Sequence, residues 1–294
     1  MIAELAQMLS SGILTGAVLA LPAIGLSLIF SVLRFVNFSV GAQITLGAFL
    51  GYAATSVLHC PLPVALGITF VGCGCIGVVS DRIALQRIRA ARRPDARLMT
   101  AIASIALSVV LENAVRFVSG NEMRSFDVPI ARDFAVGPVL VSPQQLQNLG
   151  MALLTVCALS AFFLLTRTGK AMRAVADNPD LAKLKGISVV RTTATAVFIG
   201  MGVAGMGGMM LGLDTSVDPQ MGAAALLTVF AASVVGGLSS IPGAVVGAVI
   251  VGIAEQVSLL VVAPSYKSGV AFLVILVVLL VRPEGLFARR ERRS

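Results

Sequence analysis

The sequence is poor in charged and aromatic residues. Of its 294 residues, 12% are charged and 5% are aromatic, and there is no tryptophan. Ordinary soluble domains carry about 25% charged residues, so this composition excludes a soluble globular protein. Hydrophobic residues make up 57% of the chain. The composition therefore predicts an integral membrane protein.

Residues that catalysis or metal binding would require are also scarce. The chain has a single histidine, His59, and four cysteines that form no CxxC motif. Neither HExxH nor GxSxG occurs in it. These absences argue against a membrane-embedded enzyme and against a structural metal site. We therefore expect no catalytic residues, no metal and no cofactor.

Ionisable residues inside apolar runs are limited to Glu112, Arg116 and Glu255. A proton-driven carrier would typically show a relay of several carboxylates or histidines at such positions. Glu112 and Arg116 stand at i and i+4, side by side on one helix face, and are interpreted as a self-neutralising pair. The chain is therefore either a passive channel or a transporter whose energy comes from another protein.

In place of these residues the chain has long apolar runs. Roughly nine of them approach the ~20 residues that cross a bilayer as a helix, and none alternates in polarity as a membrane strand would. We predict an all-α, polytopic protein with a single transmembrane domain over residues 1–294. The runs cover residues 9–33, 42–58, 61–80, 98–118, 146–165, 192–213, 223–235, 244–262 and 269–281.

The positive charge is concentrated in three segments. Seventeen of the 22 Lys and Arg residues lie within 82–97, 167–191 and 282–293, and short basic loops mark the cytoplasmic side of a membrane. Alternation between them predicts an external N-terminus, a cytoplasmic C-terminus and nine crossings. Because the seventh run is short, and because 34–41 fits a broken or re-entrant element, eight crossings remain the alternative.

Three breaks interrupt the apolar runs, at Pro22, at Asn37–Gly41 and at Gly236–Gly243. Irregular backbone at membrane depth persists only where protein or a water-filled cavity satisfies it. The breaks are therefore candidate parts of a translocation pathway. Glycine is abundant elsewhere, with 29 residues in the chain, and this content favours close helix packing over hinges.

Four polar residues are candidates for this pathway: Asn37, Ser39, Gln43 and Glu255. The first three stand at the second break, and Glu255 lies within the eighth apolar run. Helix capping is the alternative role for the first three residues. A hydrogen bond to a neighbouring helix is the alternative role for Glu255.

The segment 167–191 is predicted to form two short helices between apolar runs. Asn178 is suited to capping the second helix, Pro179 fits its first position, and Gly186 ends it. Three apolar residues recur at a spacing of three: Leu181, Leu184 and Ile187. This face is either a docking surface for another protein or a surface packed on the chain's own membrane domain.

Together, the segments Gly169–Asp177, Leu33–Gly41, Val235–Gly243 and 282–287 resemble the permeases of bacterial ABC importers, and most closely the branched-chain amino acid branch of the LivH type. Gly169–Asp177 (GKAMRAVAD), with the residues that follow it to Ile187, resembles the cytoplasmic coupling loop of that family. Leu33–Gly41 resembles its N-terminal signature, and Val235–Gly243 resembles its C-terminal one. The ending RPEGLF at 282–287 agrees as well. One departure is the proline at 179, where many members have none.

The resemblance implies a non-catalytic permease subunit in the bacterial inner membrane. Its implied partners are two cytoplasmic ABC ATPase subunits, a second related permease subunit and a periplasmic substrate-binding protein. The implied substrates are branched-chain amino acids. The alternatives are another small polar solute such as urea or an amide, or a secondary transporter.

The resemblance also implies which residues couple the permease to an ATPase. Leu181, Leu184 and Ile187 would be apolar anchors in a groove of the ATPase. Arg173 and Asp177 would be polar contacts at the rim, and Gly186 would end the short helix.

Overall fold

The structure is a computed structural model that describes residues 2–91, 95–126, 134–136, 139–263, 266–282 and 285–287. Within these residues it contains twelve α-helices and one antiparallel hairpin of two strands. The helices are α1 Ile2–Leu33, α2 Val40–Tyr52, α3 Leu62–Ser80, α4 Gln86–Ala90, α5 Ala96–Ser119, α6 Pro143–Leu165, α7 Arg167–Asp177, α8 Pro179–Leu184, α9 Val189–Asp214, α10 Met221–Gly236, α11 Ile241–Ser258 and α12 Lys267–Val281. The strands are β1 Phe134–Val136 and β2 Val139–Val141.

Seven helical segments are long and apolar enough to cross a membrane: Glu4–Leu33, Val40–Val57, Leu62–Ala90, Ala96–Ser119, Pro143–Leu165, Val189–Asp214 and Ile241–Ser258. Two shorter apolar helices are Met221–Gly236 and Gly269–Val281. Every predicted apolar run therefore contains a helix in the described part of the chain, although the run 244–262 extends past the end of α11 at Ser258. The prediction of an all-α, polytopic membrane protein is confirmed.

The helix ends gather at two opposite ends of the protein. At one, which we call the basic end, the residue after α1 contacts the end of α7, and Leu286 N donates to the carbonyl oxygen of Val235 at the end of α10. At the other, the hairpin end, Gln7 of α1 exchanges two hydrogen bonds with the backbone of Leu140 in β2. The helices α7 and α8 thus lie at the opposite end from the hairpin.

The helices α1, α2 and α9 form the centre of the protein, and glycines allow their backbones to touch. A Cβ atom at Gly208 would overlap the carbonyl oxygen of Ile44, and one at Gly25 would overlap that of Gly200. Small residues permit such close approach between membrane helices. Close packing, which the glycine content favours, is confirmed at these positions.

Pro22 does not break the first apolar run, so the predicted interruption there is wrong. The helix α1 is continuous for 32 residues with Pro22 inside it. Membrane helices tolerate an interior proline where neighbouring groups and local adjustments satisfy the backbone groups that it frees, and the ring of Pro22 packs against Gly207 of α9. The other two breaks are present, with Arg34 at φ 58° and Gly237 at φ 101°.

The segment 82–97, interpreted as a basic loop, begins as helix. A π-helical turn at Asp81–Leu85 joins α3 to α4, so that the helical segment extends to Ala90. An ion pair between Asp81 and Arg89 closes this extension. The helix thus continues beyond the end of the apolar run at residue 80, through a stretch that contains a polar contact.

The glycine packing leads to a stability prediction. Replacing Gly208 with alanine should lower the thermal unfolding temperature of the detergent-purified protein, because the added methyl group has no room against backbone atoms. The expected cost is that of overpacking, about 1–3 kcal/mol.

Gly150 of α6 offers the matched control, because a Cβ atom there would meet nothing within 4 Å. Gly150→Ala should leave the unfolding temperature unchanged or slightly higher, since alanine favours helix. An equal drop for both variants would contradict the packing explanation.

Candidate functional site

The helix α7 is anchored to the membrane helices along one face. Met172 and Val175 are buried in the hydrophobic core, and Gly169 lies directly against the backbone of α6. The Thr166 side chain caps the helix by accepting a hydrogen bond from Gly169 N at 3.0 Å. The apolar face of α7 is therefore packed on the membrane helices.

The six-residue helix α8 is capped at both ends. The Oδ1 atom of Asn178 accepts hydrogen bonds from the backbone N–H groups of Asp180 and Leu181, each at 3.0 Å. At the other end Gly186 has φ 79°, and Ile187 N donates to the carbonyl oxygen of Ala182 at 3.0 Å. This is a Schellman ending. A helix this short is marginal alone, and the caps account for its presence.

The outer surface of α8 has two exposed leucines beside an exposed ion pair of Asp180 and Lys183. Leu184 is 84% exposed and Leu181 is 54% exposed, whereas Ala182 is buried against the protein. Arg173 and Asp177 of α7 are also exposed. Five of the six predicted coupling residues are thus exposed. They are Arg173 and Asp177 on α7, Leu181 and Leu184 on α8, and Gly186 just beyond the end of α8.

Ile187 does not share the exposed face of Leu181 and Leu184, although the spacing of three predicts that it would. The Schellman ending turns the chain at Gly186, and Ile187 is half-buried and packs against the hydrophobic core. The exposed apolar face of α8 therefore consists of Leu181 and Leu184 alone. Regular spacing of three places residues on one face only while the helix continues, and α8 ends at Leu184.

Asn37 and Ser39 lie at the start of α2 and are fully buried. The Ser39 backbone N–H and Oγ both donate to Asn37 Oδ1, at 3.1 and 2.7 Å. The Asn37 Nδ2 atom has no hydrogen-bond partner in the described residues. The Oδ1 atom of Asn37 thus stabilises the turn before α2, whereas its Nδ2 atom forms no hydrogen bond with a described residue.

Gln43 is buried between α2, α3 and α9. It is 1% exposed, and neither its Oε1 nor its Nε2 atom has a partner within the described part of the chain. The side chain lies near Gly77 of α3. An unpaired buried amide costs free energy, so its presence here calls for a reason other than stability.

Glu255 bonds to Thr228 and Lys267 and not to Asn37, Ser39 or Gln43 in the described structure. It is 3% exposed, and its Oε1 atom accepts a hydrogen bond from Thr228 of α10 at 2.6 Å. Its Oε2 atom lies 3.7 Å from Lys267 Nζ at the start of α12. Glu255 therefore joins three helices, in agreement with the alternative role of bonding to neighbouring helices.

The pair formed by Glu112 and Arg116 is absent, so that interpretation is wrong. Glu112 accepts a hydrogen bond from Ser108 at 3.3 Å, and the Arg116 Nε atom has no partner among the described residues. The spacing allows contact on one helix face, but the two side chains form no ion pair with each other in the described structure.

The sequence reasoning missed a polar cluster at the basic end. Asp81 and Arg89 form a two-pronged ion pair, with N–O distances of 2.5 and 2.6 Å. The guanidinium of Arg89 also lies over the ring of Phe35, 5.4 Å from its centroid. Their separation of eight residues matches no ordinary helical pairing, and a π-helical turn brings them together.

Comparisons with known proteins agree over nearly the whole chain. A family profile described as the permease component of branched-chain amino acid transport systems matches residues 8–279. The high-affinity branched-chain amino acid transport system permease protein LivH of Escherichia coli K12 is 30% identical, over 97% of this chain and 96% of LivH. The corresponding protein BraD of Pseudomonas aeruginosa is 29% identical, over 97% of this chain and 96% of BraD.

More distant proteins extend the likeness. A probable LivH of Methanocaldococcus jannaschii is 26% identical, over 95% of this chain and 91% of its own length. Among solved structures, PsaBC from Streptococcus pneumoniae in complex with Fab covers 100% of this chain and 98% of its own, with a TM-score of 0.50 and 15% sequence identity. That structural likeness concerns the fold alone.

The resemblance seen in separate segments is thus confirmed by a match that runs from the first apolar helix to the last. The chain belongs to the family of permease components of branched-chain amino acid transport systems.

Proposed function

We propose that this chain is the membrane permease subunit of an ABC importer that carries branched-chain amino acids across the bacterial inner membrane. It acts as a single membrane domain and contacts an ATPase through α7 and α8. The observation that carries the coupling role is Leu184, an apolar residue 84% exposed on a helix capped at both ends. Family membership supports the transport role.

The chain supplies the membrane pathway and performs no ATP chemistry of its own. Its partners are two ATPase subunits, a second related permease subunit and a periplasmic substrate-binding protein. Clustered Lys and Arg residues mark the cytoplasmic side, and α7 and α8 lie at the basic end. This distribution supports a cytoplasmic position for α7, α8 and the C-terminus.

The coupling surface combines apolar anchors with charged neighbours. Leu181 and Leu184 fill an apolar groove of the ATPase, while Arg173 and Asp177 contact its polar rim. Gly186 keeps α8 short, and Ile187 fixes the end of α8 to the membrane helices. A buried apolar anchor within a polar rim is the usual composition of a protein interface.

Movement of α8 reaches the membrane helices through α7. Met172 and Val175 join α7 to the core, so the two short helices and the helices beneath them move together. In the conformation described here, Asn37, Ser39 and Gln43 are inside the protein. They reach the translocation pathway when α2 separates from its neighbours, and Glu255 ties α10, α11 and α12 during this movement.

The substrate assignment has a direct test. The complete importer, purified with its partner subunits and reconstituted in liposomes, should take up radiolabelled leucine, isoleucine and valine when ATP is supplied to the ATPase side. A panel that includes other amino acids, amides and urea identifies the preferred class. ATP-driven uptake of urea or amides without that of branched-chain amino acids would contradict the proposed substrate, and uptake without any ATPase would contradict the importer.

The coupling surface predicts the effect of Leu184→Asp. A carboxylate in an apolar groove must lose its hydration, so the variant should insert normally but lose ATPase association and most of its ATP-driven uptake. Truncating a central anchor typically costs more than 2 kcal/mol, and the loss of affinity should therefore be on the order of thirtyfold or more. Co-purification and labelled uptake measure it.

Leu140→Asp is the control for this substitution. Leu140 is 57% exposed at the hairpin end, so its substitution should leave ATPase association unchanged. Normal ATPase association and normal uptake by Leu184→Asp would contradict the proposal that α8 docks the ATPase.

Gln43→Met distinguishes transport from stability. Methionine has a similar volume, and the glutamine amide has no partner to lose among the residues that the structure describes, so the variant should be at least as stable as the parent. We expect uptake to fall nevertheless, because the pathway loses a polar group. A stable variant with unchanged uptake kinetics would contradict the pathway role of Gln43, and Gln43→Glu checks whether a polar group of the same length suffices.

A further inference from the structure

Arg34 links the end of α1 to the end of α7. Its guanidinium donates a hydrogen bond of 2.7 Å, through Nη2, to the carbonyl oxygen of Ala176, which is 142 residues away in the chain. Ala176 lies in the last turn of α7, where carbonyl oxygens lack helical partners and carry the negative end of the helix dipole. A charged donor at this position makes a strong bond.

The backbone at Arg34 is held in an uncommon conformation. Its φ of 58° lies in the left-handed region, which residues other than glycine, asparagine and aspartate seldom adopt. A residue persists in such a conformation only when its surroundings enforce it. The chain therefore reverses direction at the same residue that holds α7.

The next residues connect this turn to two further helices. Phe35 is buried beneath the guanidinium of Arg89, which is paired with Asp81 at the junction of α3 and α4. Phe38 N then donates to Ser104 Oγ of α5 at 3.0 Å, just before α2 begins. The connection 34–39 thus contacts α7, the α3–α4 junction and α5 within six residues.

We propose that Arg34 is the positioning residue through which movement of α7 and α8 reaches α2. This inference rests on the proposed coupling role of those helices. A short connection that is bonded at several points transmits a displacement, whereas a long free loop would absorb it. When the ATPase shifts α7, the Arg34 contact draws the turn at 34–39 with it and changes the position of Asn37 and the start of α2.

The test distinguishes the role of the Arg34 guanidinium from the role of the left-handed backbone conformation at residue 34. Asparagine tolerates the left-handed conformation but cannot reach Ala176, so Arg34→Asn keeps the turn and removes the contact. In the reconstituted importer, we expect Arg34→Asn to retain ATPase association and ATP hydrolysis. The number of leucine molecules taken up per ATP hydrolysed should fall about tenfold, in line with the loss of one charge-assisted hydrogen bond.

Two further variants complete the series. Arg34→Gly removes the contact while relieving the backbone, and it replaces the asparagine variant if that one does not assemble. Arg34→Lys keeps a cationic donor and should restore most of the uptake per ATP. A purely structural turn would show no such dependence on a donor.

The outcomes separate this inference from the proposed function. Wild-type uptake per ATP in Arg34→Asn and Arg34→Gly would overturn the role of Arg34 and leave the importer intact. Loss of ATPase association in both variants would also overturn it, because Arg34 would then serve docking. A wild-type chain that neither binds an ATPase nor supports ATP-driven uptake would overturn the proposed function itself.

Discussion

The direct contact between helix backbones at the centre of the protein is the constraint on which the rest of the structure depends. The helix α9 touches α1 at Gly25 and α2 at Gly47 and Gly208, with no side chain between the backbones. Lipid is as apolar as the helix surfaces, so association inside a membrane relies on close fit more than on hydrophobic burial. Once α1, α2 and α9 are joined in this way, the positions of their ends follow.

Those ends determine where the functional elements are held. The helix α7 follows α6 and packs its buried face against the central helices, and α8 is attached to it through the Asn178 cap. The apolar side chains of α8 are left outside because its inner contacts are made by Ala182 and by Ile187 beyond the turn. A surface is available to a partner because the internal packing is complete without it.

The polar residues inside the protein divide into two groups. Glu255, and the pair of Asp81 and Arg89, have partners that join helices, so their burial is compensated. Gln43, and one nitrogen of Asn37, have no partner among the described residues. Compensated polar groups stabilise one arrangement of helices, whereas uncompensated ones favour an arrangement in which they meet water or substrate. Gln43 and Asn37 lie at the start of α2, next to the turn that Arg34 connects to α7, whereas other such atoms belong to Ser27 of α1 and Arg116 of α5.

Composition and periodicity alone predict the all-α membrane class, the positions of the apolar helices and the caps of α8. These features are local, since an apolar run or an Asn-Pro start depends on residues close in the chain. The family resemblance is likewise readable from Gly169–Asp177 and the segments that accompany it.

Tertiary structure decided the features that depend on contacts distant in sequence. Pro22 lies inside a continuous helix and packs against Gly207 of another helix, and Ile187 turns inward because a core surface is there to receive it. Glu112 and Arg116 have the spacing of a pair, yet Glu112 bonds to Ser108 and does not pair with Arg116 in the described structure. The contact of Arg34 with Ala176 joins residues 142 positions apart, and no local pattern can specify it. Sequence by itself therefore determines the apolar helices and the caps of α8, and only packing determines how helices such as α4 extend and which side chains meet.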